Sequence, residues 1–184
     1  MAMDTQAARQ ALANADCVAD AAQVSAALDA MAQAITRQLA NADPLALVVM
    51  NGGLFVAGQL LPRLGFPLET GYLHVTRYGD ALTGGGLEWR VPPPAAAGRT
   101  VLVIDDILDE GHTLEAIRRR LVESGARQVF TAVLVDKQHC RKARPGLRAN
   151  FTGLELPDRF LFGCGMDIKG YWRNLPAIHA LREA

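Results

Sequence analysis

Apolar residues recur along this chain at two spacings, and the change from one to the other marks out its elements. Val24, Leu28, Met31, Ile35 and Leu39 stand three or four apart, the stripe of one helix face. With the Ala- and Gln-rich stretch before them they predict two helices within residues 5–41, an N-terminal helical region over 1–43, the second capped by Asp20. Leu45 to Met50 is a short unbroken apolar run, a buried strand, and the turn Asn51-Gly52-Gly53 closes it. Leu54 to Leu64 returns to helical spacing and ends near Gly65, and Leu68 to Thr76 predicts the next strand. A polar segment from Arg77 to Glu88 carries Gly84-Gly85-Gly86 and reads, with its flanks, as a lid loop over 76–90. Arg90-Val91-Pro92-Pro93-Pro94 follows as a stiff connector. Val101 to Ile104 predicts a buried parallel strand ending just before Asp105, and Leu114 to Ser124 a helix. Gln128 to Val135, Phe151 to Leu156, Phe160 to Phe162 and Ile178 to Leu181 complete the strand candidates. Strands alternating with helices imply an α/β fold, a doubly wound, mostly parallel sheet flanked by helices, in one domain over 1–184.

Composition narrows the function classes. Nineteen basic and nineteen acidic residues cancel, so the basic footprint of a nucleic-acid partner is missing. Cys17, Cys140 and Cys164 are odd in number and far apart, which suits a reduced, cytoplasmic chain better than a disulfide or zinc framework. No signal-peptide pattern opens the sequence, and no apolar run reaches membrane-spanning length, so a soluble protein without a membrane partner is expected.

The chemistry concentrates after the strand at Val101–Ile104. Asp105 and Asp106 stand where that strand should end, and Asp109-Glu110-Gly111-His112-Thr113 leads into the next helix. Ligands of open α/β sheets bind at the carboxyl ends of strands. Free amides of a helix start, a glycine and a Thr hydroxyl suit a phosphate, while paired carboxylates suit sugar hydroxyls or Mg²⁺. Read singly, these features are bland: Asp105-Asp106 as a loop-capping pair, Asp109 as an N-cap, Asn51-Gly52 as an ordinary turn, Lys137 as a solvated strand-end lysine. Adjacent acids behind a buried strand repel each other, however, and need a cation, hydroxyls or donors to stay ionised. A phosphoacceptor receiver would carry its acids earlier in a shorter chain, and no Walker motif is present.

Apolar strand, two acids, two apolar residues and Asp-x-Gly-x-Thr together resemble the phosphoribosyl pyrophosphate (PRPP) signature of type I phosphoribosyltransferases. Later blocks resemble the hypoxanthine-guanine subgroup, in its order, across roughly residues 45–181. The resemblance implies the family's fold with a small purine-binding hood, here the segment 150–184. It implies Mg²⁺-dependent salvage of hypoxanthine or guanine, with xanthine a third candidate, to the nucleotide and pyrophosphate. Asp105 and Asp106 would hold the ribose and attract Mg²⁺, and Asp109 would act as general base at purine N7. Glu110, Gly111, His112 and Thr113 would cradle the 5′-phosphate. Asn51 and Gly52 would form the pyrophosphate loop, which in the family often has a cis peptide before its second residue; Asn51 stands where many members have Lys or Arg. Lys137 would donate to O6, a contact that accepts a keto oxygen and opposes an amino group. Phe160 would stack on the base, the Leu161 carbonyl would meet its 2-position edge, Asp167 would bind a second Mg²⁺ beside the purine, and Arg173 would reach pyrophosphate. Arg77 and Tyr78 would belong to a closing lid that excludes water. A homo-oligomer, dimer or tetramer, is expected, with the apolar N-terminal helices as a candidate surface. A non-catalytic PRPP-sensing regulator of the same fold is the alternative, but such a chain would more naturally carry a basic appendage, and this neutral sequence has none.

Overall fold

The computed structural model describes residues 3–77 and 87–182. The elements run α1 (Thr5–Ala13), β1 (Ala15–Ala19), α2 (Ala21–Leu39), β2 (Leu45–Met50), α3 (Gly53–Leu60), β3 (Glu69–Arg77), β4 (Leu87–Val91), β5 (Thr100–Leu108), α4 (His112–Glu123), β6 (Gln128–Gln138), β7 (Phe151–Pro157), β8 (Leu161–Phe162) and β9 (Ile178–Leu181).

Six of the described strands form one sheet in the order β4-β3-β2-β5-β6-β7, parallel throughout except for the antiparallel edge strand β4. Alternating residues sort to its two faces. Ala46, Val48, Leu102, Ile104, Ala132 and Leu134 pack against α2 and α3, while Leu45, Leu47, Val101, Val103 and Val133 pack against Ile117 and Leu121 of α4. Burial on both faces is why these strands read as apolar runs rather than alternating ones. The chain leaves β2 toward β3 on one side and β5 toward β6 on the other, so β2 and β5 flank the point where winding reverses. Their carboxyl ends therefore open into the cleft between diverging connections.

The sequence expectation changes in four places. Both expected N-terminal helices form, but Ala15–Ala19 between them is a strand, antiparallel to β9, which lies between it and β8 in a second sheet. Ala-Asp-Cys-Val-Ala has no local strand pattern; pairing with β9 and ion pairs from Asp16 to Arg159 (2.7 Å) and Arg182 (2.9 Å) impose it. The expected lid over 76–90 and the connector at Arg90 give way to strand at both margins, because Arg77 pairs with Leu87 and Val75 with Trp89. The strand expected to end at Ile104 runs on to Leu108, which pairs with Asp136, so Asp105 and Asp106 lie inside β5. Likewise β6 extends through Lys137 to Gln138. In both, continued pairing with a parallel neighbour carries the strand past its apolar stretch.

Asp20 caps α2 as expected, in a reciprocal box with Gln23 (2.8 and 2.9 Å). Among the described residues no helix is long and apolar enough to cross a membrane.

Candidate functional site

The site begins where β2 turns into α3. The Met50–Asn51 peptide is cis, and Gly52 follows, pressed against β5. A Cβ on Gly52 would lie 2.6 Å from the Asp106 carboxyl carbon, so only glycine lets the turn approach this closely. Gly165 closes on the same point from the segment after β8; its Cβ would meet the Gly52 carbonyl and come within 3.0 Å of Asp106 Cβ. Residues from three distant parts of the chain thus enclose the Asp106 side chain.

Asp105 and Asp106 are consecutive, and the Asp106 amide donates to Asp105 Oδ1 at 2.9 Å. Burial, then the neighbouring Asp106 charge, pushes the Asp105 carboxyl well above its ordinary value. Burial raises Asp106 as well, against the hydrogen bond with Asp105 and the Arg173 charge. Arg173 lies 3.8 Å from Asp106 Oδ2, 2.5 Å from Asp167 Oδ1, and donates to the Gly165 carbonyl. One guanidinium therefore meets two carboxylates and a backbone carbonyl. Asp105 and Asp106, withdrawn from water, have the oxygen chemistry that a hard divalent cation would take, whereas Asp167 is already paired with Arg173.

The loop beyond β5 carries Asp109, whose side chain is 43% exposed. Lys137 Nζ donates to its Oδ2 at 3.0 Å and His139 Nε2 contacts its Oδ1 at 2.7 Å. Burial opposes ionisation of Asp109, but these two partners outweigh it and hold the carboxyl below its ordinary value. The loop backbone is braced from below. Lys142 donates to the carbonyls of Leu108 (2.8 Å) and Asp109 (2.7 Å) and to the buried Asp136 carboxylate (2.7 Å), which Arg148 also meets. Helix α4 then starts at His112, after Gly111 in left-handed conformation, with no side chain capping its first amides. Those amides are available to an anion at the helix start, next to Thr113. His112 Nε2 lies 3.7 Å from Glu110.

A flat apolar side chain stands two residues after Asp158, just before the small sheet's β8. Phe160 is 51% exposed, whereas Leu161 beside it is buried. The Leu181 amide donates to the Phe160 carbonyl at 3.0 Å, so ladder alternation turns the Leu161 carbonyl away from β9, toward the free edge of the small sheet. Asp158 joins the two sides: Arg141 binds it through both guanidinium nitrogens (2.6 and 3.1 Å), and Lys137 lies 3.7 Å away.

A family model of the phosphoribosyl transferase domain matches residues 14–168. The chain belongs to the phosphoribosyltransferase family. The hypoxanthine-guanine phosphoribosyltransferase of Bacillus subtilis (strain 168) is 32% identical over 153 residues, 82% of this chain and 83% of that one. The enzyme of the same description from Aquifex aeolicus (strain VF5) is 31% identical over 144 residues, 77% and 80% of the two chains. A hypoxanthine phosphoribosyltransferase structure from Staphylococcus aureus superposes with a TM-score of 0.86 over 97% of both chains; at 21% identity this is a likeness of fold.

Within this phosphoribosyltransferase, the structure gathers Asn51, Gly52, Asp105, Asp106, Asp167 and Arg173 around one point, and joins Asp109 to Lys137 beyond β5, while Phe160 is exposed two residues after Asp158. Arg77 lies in β3 and Tyr78 falls outside the described residues. Sequence reasoning assigned no role to His139, Asp158, Arg141 or Lys142. Asp109, His139 and Asp158 offer ligand atoms within 4.8 Å of one another, a spacing suited to a cation, but the Lys137 ammonium already stands among them. The available signal was the basic run His139-Cys140-Arg141-Lys142 just beyond Lys137-Gln138, too many charges for an ordinary turn.

Proposed function

We propose that this chain transfers the phosphoribosyl group of PRPP to 6-oxopurines, hypoxanthine and guanine first among them, releasing pyrophosphate. One observation carries the reading. Lys137 Nζ and Asp109 Oδ2 present a donor and an acceptor side by side, 3.0 Å apart, at the carboxyl ends of the parallel strands β5 and β6. O6 and N7–H of a 6-oxopurine form the complementary pair on one edge of the base. Adenine offers an amino group at that place and meets a second donor instead, so the site opposes it. The relatives' hypoxanthine-guanine descriptions support the same choice.

In this reading N9 attacks C1′, the C1′–N9 bond forms, and the bond from C1′ to the pyrophosphate oxygen breaks. Asp109 receives the N7 proton as positive charge develops on the base, and Lys137 holds O6. Phe160 stacks on the ring and the Leu161 carbonyl meets its 2-position edge. Asp105 and Asp106 hold the ribose hydroxyls. Backbone amides from Glu110 to Thr113, with the Thr113 hydroxyl, hold the 5′-phosphate. The Asn51-Gly52 turn and Arg173 serve the pyrophosphate end. Mg²⁺, when bound by Asp105, Asp106 and Asp167, supplies charge neutralisation for the leaving pyrophosphate. The small sheet and the segment after β7 serve as the purine hood.

The test is nucleotide formation from PRPP and Mg²⁺ with hypoxanthine, guanine, xanthine and adenine in turn. Saturable nucleotide and pyrophosphate release with the first two, and none with adenine, is expected. Adenine accepted as readily, or PRPP bound without nucleotide formed, would contradict the assignment; the latter result would favour a sensing protein.

A further inference from the structure

Asp109 is gripped at both oxygens, yet its two partners are not equivalent. The Lys137 ammonium also lies 3.7 Å from Asp158 and, in the reading above, serves the base as well. His139 has one task only. Its side chain is 3% exposed, and its Nδ1 accepts the Arg141 backbone N–H at 3.0 Å. A ring nitrogen that accepts a hydrogen bond carries no proton, so the proton sits on Nε2, which donates to Asp109 Oδ1. With Nε2 protonated and Nδ1 occupied, the ring has no vacant lone pair for the Asp109 proton; it orients and does not relay. The backbone that sets this tautomer is itself anchored, by the Arg141–Asp158 pair and by Lys142 on the Leu108 and Asp109 carbonyls.

We propose that His139 is the positioning residue of the base: it fixes Asp109 Oδ1 through the catalytic cycle, so that Oδ2 faces N7 while Lys137 turns to O6. The proposal deepens the 6-oxopurine reading and rests on it for the identity of the substrate. The charged groups around Asp109 are Lys137, His139, Arg141, Lys142, Asp158 and Glu110. Of these, Lys137 and His139 alone are hydrogen-bonded to its carboxylate among the described contacts, and they offset the burial that would raise it.

Two variants separate orientation from mere packing. His139→Gln keeps an N–H donor near the Nε2 position, and His139→Asn is too short to reach Asp109. Steady-state kinetics and carboxyl-carbon NMR titration of Asp109 are measured on both and on the unaltered chain. His139→Asn is expected to lower kcat by about 10-fold at a nearly constant KM for PRPP, as misaligned groups do, and to move the Asp109 titration to higher pH. His139→Gln should recover most of both. Unchanged kcat and titration in His139→Asn, or equal losses in the two variants, would overturn the proposal. Should the unaltered chain form no nucleotide, the transferase reading fails and the titration alone decides the role of His139.

Discussion

Asp136 offers the sharpest test of how the site is braced. Its carboxylate is fully buried at the end of β6 and meets Lys142 at 2.7 Å and Arg148 at 3.2 Å. Asp136→Asn preserves shape but leaves the Lys142 ammonium, 11% exposed, without its counter-charge. Removing one partner of a buried pair costs about 3–5 kcal/mol, mostly for the stranded charge. Lys142 keeps the Leu108 and Asp109 carbonyls, which favours the lower end. The Arg148 contact adds little, since that side chain is 54% exposed and such pairs are worth about 1 kcal/mol at most. A loss of about 3 kcal/mol corresponds to roughly 6–12 °C in Tm for a chain of this size. Thermal and urea unfolding of Asp136→Asn, Lys142→Met and the double variant measure it. The double variant should be more stable than the sum of its parts by about 2 kcal/mol, because the second change removes the stranded charge. A single-variant Tm within about 2 °C of the unaltered chain, or strict additivity, would refute the reasoning.

Other expectations follow from the same geometry. Lys137→Ala should raise KM for guanine by about 10-fold or more while leaving PRPP affinity nearly constant; equal losses would remove Lys137 from base recognition. The same variant bears on pH dependence. A carboxyl held below its ordinary 3.8 stays ionised until the pH falls below that value, so the stabilisation from the Asp109 contacts persists above it and fades at still lower pH. Without Lys137 that fading should begin at higher pH, readable as a shifted Asp109 titration. Of the three thiols, Cys17 and Cys140 are exposed, while burial pushes Cys164 up to about 12. A thiol reagent should therefore modify two equivalents in the native protein and the third only on unfolding; rapid modification of all three would contradict the packing after β8.

The central sheet was legible because its strands are buried on both faces, and Leu45–Met50 and Val101–Ile104 therefore stand out as apolar runs. β1 was not, since Ala15–Ala19 is a strand only through its partner β9, more than 150 residues away in the chain. Strand ends were misjudged for a related reason: Asp105, Asp106 and Lys137 are polar, yet neighbouring strands keep pairing past them. Asp105, Asp106, Asp109 and Thr113 could be read as one unit because they lie within nine residues. The contacts of Asp109 with His139 and of Asp158 with Arg141 had no such signal. They exist because parallel pairing of β5, β6 and β7 brings three loops to the same edge.

The account turns on Asp109 acting on the base and not on the activated sugar. Asp109→Asn, assayed for kcat with guanine and for PRPP binding by calorimetry in Mg²⁺, separates the two. A fall in kcat of about 100-fold or more, with PRPP affinity essentially unchanged, is the predicted result. Near-normal turnover, or loss of PRPP binding in step with turnover, would contradict it.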